Sequence, residues 1–106
     1  MLTRMEEILL LTVWRLQADA YGLSIRRQIS SLLKKKVSVG AVYIPLERLA
    51  RKGLLETWES EPTATRGGRR KRFYKLSPRG LAALNAVKRI HDTAWTGLPD
   101  LAVGAK

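Results

Sequence analysis

The sequence predicts a mainly α single domain carrying one small β-hairpin (α+β), on three observations. Apolar residues recur at helical spacing in four stretches, each bounded by a cap or a breaker. Past Gly53 the period drops to two, in two short runs on either side of a Gly67-Gly68 pair. A chain of 106 residues that is 45% hydrophobic can build one modest core and no second one.

The first stretch, Arg4 to Gln17, reads as a helix whose centre (Ile8, Leu9, Leu10, Leu11, Val13, Trp14, Leu16) is apolar nearly all the way round. Such a helix must be covered on more than one side. Tyr21 and Gly22 interrupt it, and a second helix runs to about Leu33 with Ile25, Ile29, Leu32 and Leu33 on one face. Its other face carries Arg26, Arg27 and Gln28. Lys34 to Lys36 form a basic turn, after which Ser38 caps a third helix from Val39 to about Lys52. There Val39, Val42, Tyr43, Leu46, Leu49 and Ala50 make an apolar stripe opposite Ala41, Ile44, Pro45, Arg48, Arg51 and Lys52. Pro45, deep in that helix, removes one backbone hydrogen bond and predicts either a kink or an irregular first turn.

Gly53 stops the third helix, and Leu54 to Glu61 and Arg72 to Leu76 alternate as the two strands of a hairpin, with Trp58 expected in the core or in hairpin packing. Pro62 and Gly67-Gly68 keep the intervening turn irregular, and five of the seven residues from Arg66 to Arg72 are basic. Ser77-Pro78 opens a fourth helix to about Trp95, with Leu81, Leu84, Val87 or Lys88, His91 and Trp95 along one side. Gly97 and Pro99 end it. Residues 4–77 thus form one unit, 78–97 a helix packed on the same domain, and 98–106 a flexible tail.

Charge narrows the partner. Twenty Lys and Arg against nine Asp and Glu give +11, beyond the magnitude of about 2 to 8 that solubility asks of a small domain. A polyanion is expected. A membrane binder would leave a broad apolar helix face to insert, whereas here the apolar faces are consumed by a core. No cysteine, a single histidine (His91) and no phosphate-cradling motif leave nothing from which to assemble a metal site, a cofactor site or an enzyme. The apolar run Ile8 to Val13 is too short to cross a bilayer, and Glu6 and Glu7 spoil any signal-like character, so a cytoplasmic chain is expected.

Three helices, a hairpin with a long basic turn and a further helix is the order of a winged helix-turn-helix. In that geometry the third helix enters the major groove of double-stranded DNA, and the hairpin tip, the wing, lies on phosphates or in the minor groove. Arg26, Arg27, Lys34 to Lys36, Arg48, Arg51, Lys52 and the wing residues Arg66, Arg69, Arg70, Lys71 and Arg72 then form one cationic surface. Ser38, Ala41, Ile44 and Arg48 are placed to face bases, Ala41 and Ile44 suiting a thymine methyl. Arg48 suits phosphate, guanine or a glutamate of its own domain. Tyr43, at the edge of the stripe, can send its hydroxyl to a phosphate.

The segments Ser38 to Leu55 and Arg66 to Gly80 resemble PadR-family transcriptional regulators. The resemblance rests on Ser38 and Gly40 at the head of the recognition helix, Tyr43, Arg48-Leu49, the Gly53 stop, Gly67-Gly68-Arg69 in the wing and Gly80. Tyr21-Gly22 fits as well, and the likeness covers roughly residues 5 to 95. It implies a homodimeric bacterial repressor in which the last helix of each subunit packs on the first helix of the other. That places Leu9, Leu10, Trp14, Leu84, Val87, His91 and Trp95 at the dimer interface. The chain is similar to the family's compact branch, some members of which hold flat aromatic drugs between subunits with a tryptophan of the last helix. Trp14 and Trp95 are the residues this implies for a small aromatic effector, although that branch carries its tryptophan nearer His91. The expected operator is an inverted repeat with half-sites about 10 bp apart. The alternative is a non-specific architectural DNA- or RNA-binding protein, for which the net charge alone suffices.

Overall fold

The computed structural model describes residues 1–61 and 70–98. The order is α1 (Arg4–Leu16), a 3-10 turn Gln17–Asp19, α2 (Gly22–Leu33), α3 (Val39–Arg51), β1 (Leu55–Glu59), β2 (Arg72–Leu76) and α4 (Pro78–Trp95). Apart from the 3-10 turn, these are the elements the sequence predicts, in the predicted order.

Helix α1 starts on a reciprocal cap. Thr3 Oγ1 accepts from the Glu6 amide at 3.1 Å, and Glu6 Oε1 accepts from the Thr3 amide at 2.8 Å. The other Glu6 oxygen accepts from Lys52 Nζ at 2.8 Å, so one buried carboxylate joins the start of α1 to the end of α3. Lys52 and the cap hold the Glu6 carboxyl below its ordinary range. Lys52, expected on the cationic surface, is thereby an internal partner.

The core is made by Leu9, Leu10 and Val13 of α1, Ile25 and Ile29 of α2, Val42, Leu46 and Leu49 of α3, with Leu55, Tyr74 and Leu84 closing it. Burial along α1 takes in residues 6, 9, 10, 12 and 13, with Met5, Ile8 and Leu16 packed against the core beside them. Helices α2, α3 and α4 and strand β2 all pack on it, so α1 is covered on more than one side, as the sequence predicts. Leu11 and Trp14 stay 41% and 50% exposed, and Leu9 and Leu10 have no surface left to offer a partner. The expectation that Leu9, Leu10 and Leu84 lie at a dimer interface is corrected accordingly: all three are core residues of their own chain. Leu32 and Val39, expected on apolar stripes, are exposed: each shares the stripe's direction but lies in a terminal turn, Leu32 at the end of α2 and Val39 at the start of α3.

Helix α3 is capped as expected, Ser38 Oγ accepting from the Ala41 amide at 3.1 Å, and it runs as a continuous α-helix through Pro45. Its end is a Schellman turn. The Leu54 amide donates to Leu49 O and the Gly53 amide to Ala50 O, with Gly53 at φ +79° where a side chain would be strained.

In the hairpin Leu55 pairs with Leu76 and Glu59 with Arg72, antiparallel. The linker after α1 joins it as a short third rung, Tyr21 bridging Phe73 and the Tyr74 amide donating to Ala20 O at 2.9 Å. Ser77 then caps α4 by accepting from the Gly80 amide at 3.0 Å, while its hydroxyl donates to Gly53 O at 2.6 Å. The helix crosses so near the α3–β1 turn that a Cβ at Gly80 would collide with the Leu54 carbonyl. Beyond Val87 only His91 of α4 is half-covered, within 3.3 Å of Glu7, and Ile90 and Trp95 stand in solvent.

Candidate nucleic-acid interface

Burying Val42, Leu46 and Leu49 turns the opposite side of α3 outward. Ser38, Gly40, Ala41, Ile44, Arg48 and Arg51 are all exposed there, Ile44 at 60%. Nothing in the fold requires glycine at Gly40: a Cβ would meet only Ile44 Cδ1, at 3.9 Å. An exposed β-branched residue and an uncrowded glycine on one solvent-facing helix are features of a surface that meets something else.

The turn before α3 is braced from α2. Arg26 Nε donates to Val37 O at 2.7 Å, and Ser30 Oγ accepts from the Val37 amide at 3.2 Å. Arg26 is half-buried by this, so its first task is to hold the turn, and its terminal nitrogens alone are left for a phosphate. Arg27 and Lys34 to Lys36 are exposed without qualification. Tyr43, a partly exposed edge residue, lays its ring against the start of α2, where a Cβ at Gly22 would collide with it. Gly22 thus leaves room for the phenol end of Tyr43 against the start of α2.

Of the wing, Arg66, Gly67, Gly68 and Arg69 lie outside the described residues. Arg70 and Lys71 are exposed, and Lys71 Nζ sits 4.3 Å from the Tyr21 ring centroid. Tyr21 packs on Phe73, which stacks on Trp58 with ring centroids 5.6 Å apart, so the wing stem is an aromatic layer. Trp58, expected in the core or in hairpin packing, packs on Phe73 within the hairpin and is not a core residue.

Arg72 is the clear departure from the expected cationic surface. Its Nε and Nη2 donate to the two Glu47 oxygens at 2.7 and 2.9 Å, and the Tyr74 hydroxyl donates to Glu47 Oε2 at 2.6 Å. The Arg72 guanidinium holds the Glu47 carboxyl below its ordinary range, and burial raises the Tyr74 phenol. Both side chains of the ion pair are about a third exposed, so solvent screening leaves it about 1 kcal/mol or less of stability. Sequence reasoning missed Glu47 altogether. The available signal was a lone acid inside a helix otherwise basic toward its end, with Arg72 and Tyr74 on one side of a strand.

The residues expected at an effector site do not converge within the chain. Trp14 lines a groove of about 340 Å³ with Trp58, Lys75 and Leu76, and Trp95 is not among its walls. Among the described residues no cluster of His, Cys, Asp and Glu could hold a metal ion, and no helix is long and apolar enough to cross a membrane.

Comparison with known proteins agrees with this geometry. The family model described as the transcriptional regulator PadR-like family matches residues 10–86. A search of curated proteins finds no match. Among solved structures, H. salinarum RosR is similar at 25% identity and a TM-score of 0.69, over 93% of this chain and 82% of that one. A PadR family transcription regulator from Clostridium difficile R20291 is similar at 25% identity and a TM-score of 0.63, over 86% of this chain and 94% of that one. A padr family regulator from Eggerthella lenta shares the fold at 20% identity and a TM-score of 0.68, over 90% and 80%. With well over half of the chain matched, the protein belongs to the PadR-like family: it is a DNA-binding transcriptional regulator and not an enzyme.

Proposed function

We propose that the protein is a dimeric repressor that reads an inverted-repeat operator, α3 of each protomer entering a major groove and the hairpin tip holding the flanking phosphates. The outward face of α3 carries this reading. Gly40, Ala41 and Ile44 offer apolar and backbone contacts to base edges, and Arg48 and Arg51 offer charge, on a helix whose other side is locked in the core. Arg27, Lys34 to Lys36, Arg70 and Lys71 supply the phosphate contacts around it, with Arg66 and Arg69 assigned to the same task.

Dimerisation is supported by what the fold leaves uncovered. Leu11 and Trp14 on α1 and Ile90 and Trp95 on α4 are between 41% and 50% exposed, a cost that a second copy relieves. The interface is therefore proposed on Trp14, Val87, His91 and Trp95. A DNA partner supports a cytoplasmic location.

Selection of binding sites from random duplex DNA tests the proposal. A symmetric enriched site with half-sites about 10 bp apart agrees with it. Recovery of sequences with no common pattern would make the protein a non-specific coating protein instead.

A further inference from the structure

Among the described residues, one ion pair joins the two elements that the proposed function sets against DNA. Glu47 adjoins Arg48 on α3, and Arg72, 25 residues on, directly follows Arg70 and Lys71 at the base of the wing. The joint is a fork: two parallel N–H to oxygen bonds at 2.7 and 2.9 Å, with the fully buried Tyr74 adding a third bond at 2.6 Å to one of those oxygens. A fork of this kind fixes direction as well as distance. Its charges cancel, so Arg72 adds no net cation for phosphate and the Glu47 carboxylate offers little repulsion to it.

We infer that Glu47 and Arg72 are positioning residues that set the spacing of the wing relative to the recognition helix, and so govern which DNA is preferred more than how tightly DNA is held. The inference rests on α3 and the hairpin tip both contacting DNA. A helix reading bases in one groove and a tip bound to phosphates beside it must agree in register along the duplex, and these bonds are where α3 and the wing base meet through charged groups. Released from each other, the two can settle on DNA independently. Sites of the wrong shape are then tolerated, while the phosphates remain neutralised as before.

The test uses the full chain and two probes, a duplex enriched by the wild-type protein from a random library and the unselected random duplex. Glu47→Gln and Arg72→Lys are each expected to lower the enriched-over-random affinity ratio by about tenfold. Binding to the random duplex should stay within about threefold of wild type, because neither change takes a cation away from the phosphates. Arg72→Lys keeps the charge and loses the fork, so a wild-type ratio in that variant overturns the inference, as does a wild-type ratio in Glu47→Gln. An equal loss on both probes overturns it too, since that marks a phosphate contact or a damaged fold. Tyr74→Phe removes one bond and keeps the fork. It should lower the ratio by a smaller factor, and it replaces Glu47→Gln should that variant not fold. Arg48→Ala on the same probes keeps the two readings apart: without any effect of Arg48→Ala the placement of α3 fails, whereas an effect of Arg48→Ala alone fails only the joint.

Discussion

Gly40→Ala should make the protein more stable and a poorer DNA binder at once. Gly40 occupies the first turn of α3 with no positive φ, and an added Cβ would meet only Ile44 Cδ1, at an ordinary contact distance of 3.9 Å. Inside the chain the glycine is thus a pure cost, about 0.5–1 kcal/mol relative to alanine. For a domain of this size that is a rise in melting temperature of roughly 2–6 °C. At the proposed interface the same methyl stands where the helix approaches DNA, and forcing it into a packed contact costs about 1–3 kcal/mol, or about fivefold to 150-fold in affinity. Thermal melting by circular dichroism and fluorescence anisotropy on a duplex carrying the enriched site measure the two halves separately. A variant that melts lower would contradict the geometry at the head of α3. One that melts higher and binds as well as wild type would remove this turn from the DNA interface. Gly80→Ala is the contrast, since its methyl meets the backbone carbonyl of Leu54, which cannot yield as a side chain can, and the protein should lose stability outright.

Three further outcomes follow from the same structure. Glu6 and Glu47 titrate below their ordinary carboxyl range in the folded chain, so their contribution is complete above about pH 4.5 and is lost as pH falls through the folded values; a Glu6→Gln, Glu47→Gln variant should be less stable than wild type at pH 7 and show a flatter decline between about pH 5 and pH 3 in urea titrations. Leu9→Ala should cost about 2–5 kcal/mol of folding stability by opening a cavity in a fully buried site, whereas Trp14→Ser should leave the fold intact and shift sedimentation from dimer to monomer. Arg70→Ala with Lys71→Ala should weaken binding to every duplex and lower the salt slope by about 0.9 for each phosphate left without its cation; a loss of sequence preference at unchanged affinity would contradict the role given to the wing.

The elements are legible because each begins or ends on a local signal. Ser38, Ser77-Pro78 and Gly53 act through bonds to residues three to five positions away, and the structure shows each doing so. The phase of α1 is not legible. Apolar residues follow one another from Ile8 to Leu16 with few interruptions, so spacing alone does not separate Leu9 and Leu10, which the packed elements cover, from Leu11 and Trp14, which they leave out. The ion pairs lie beyond reach for another reason: Glu6 finds Lys52 across 46 residues and Glu47 finds Arg72 across 25. Local spacing encodes neither. Positive charge counted along the chain therefore assigns Lys52 and Arg72 to a partner, when the fold uses both on its own carboxylates. The outward face of α3 is legible as far as Ser38, Ala41, Ile44 and Arg48, since removing the buried stripe leaves that face by subtraction.

The central claim is that this family member reads sequence, and does not merely coat DNA with a charge of +11. Its most direct measurement is the affinity for a duplex enriched from the random library divided by the affinity for random duplex, both at one fixed salt concentration. A ratio of about 10³ or more is predicted. A ratio near one would contradict it and leave the charge as the whole explanation of binding.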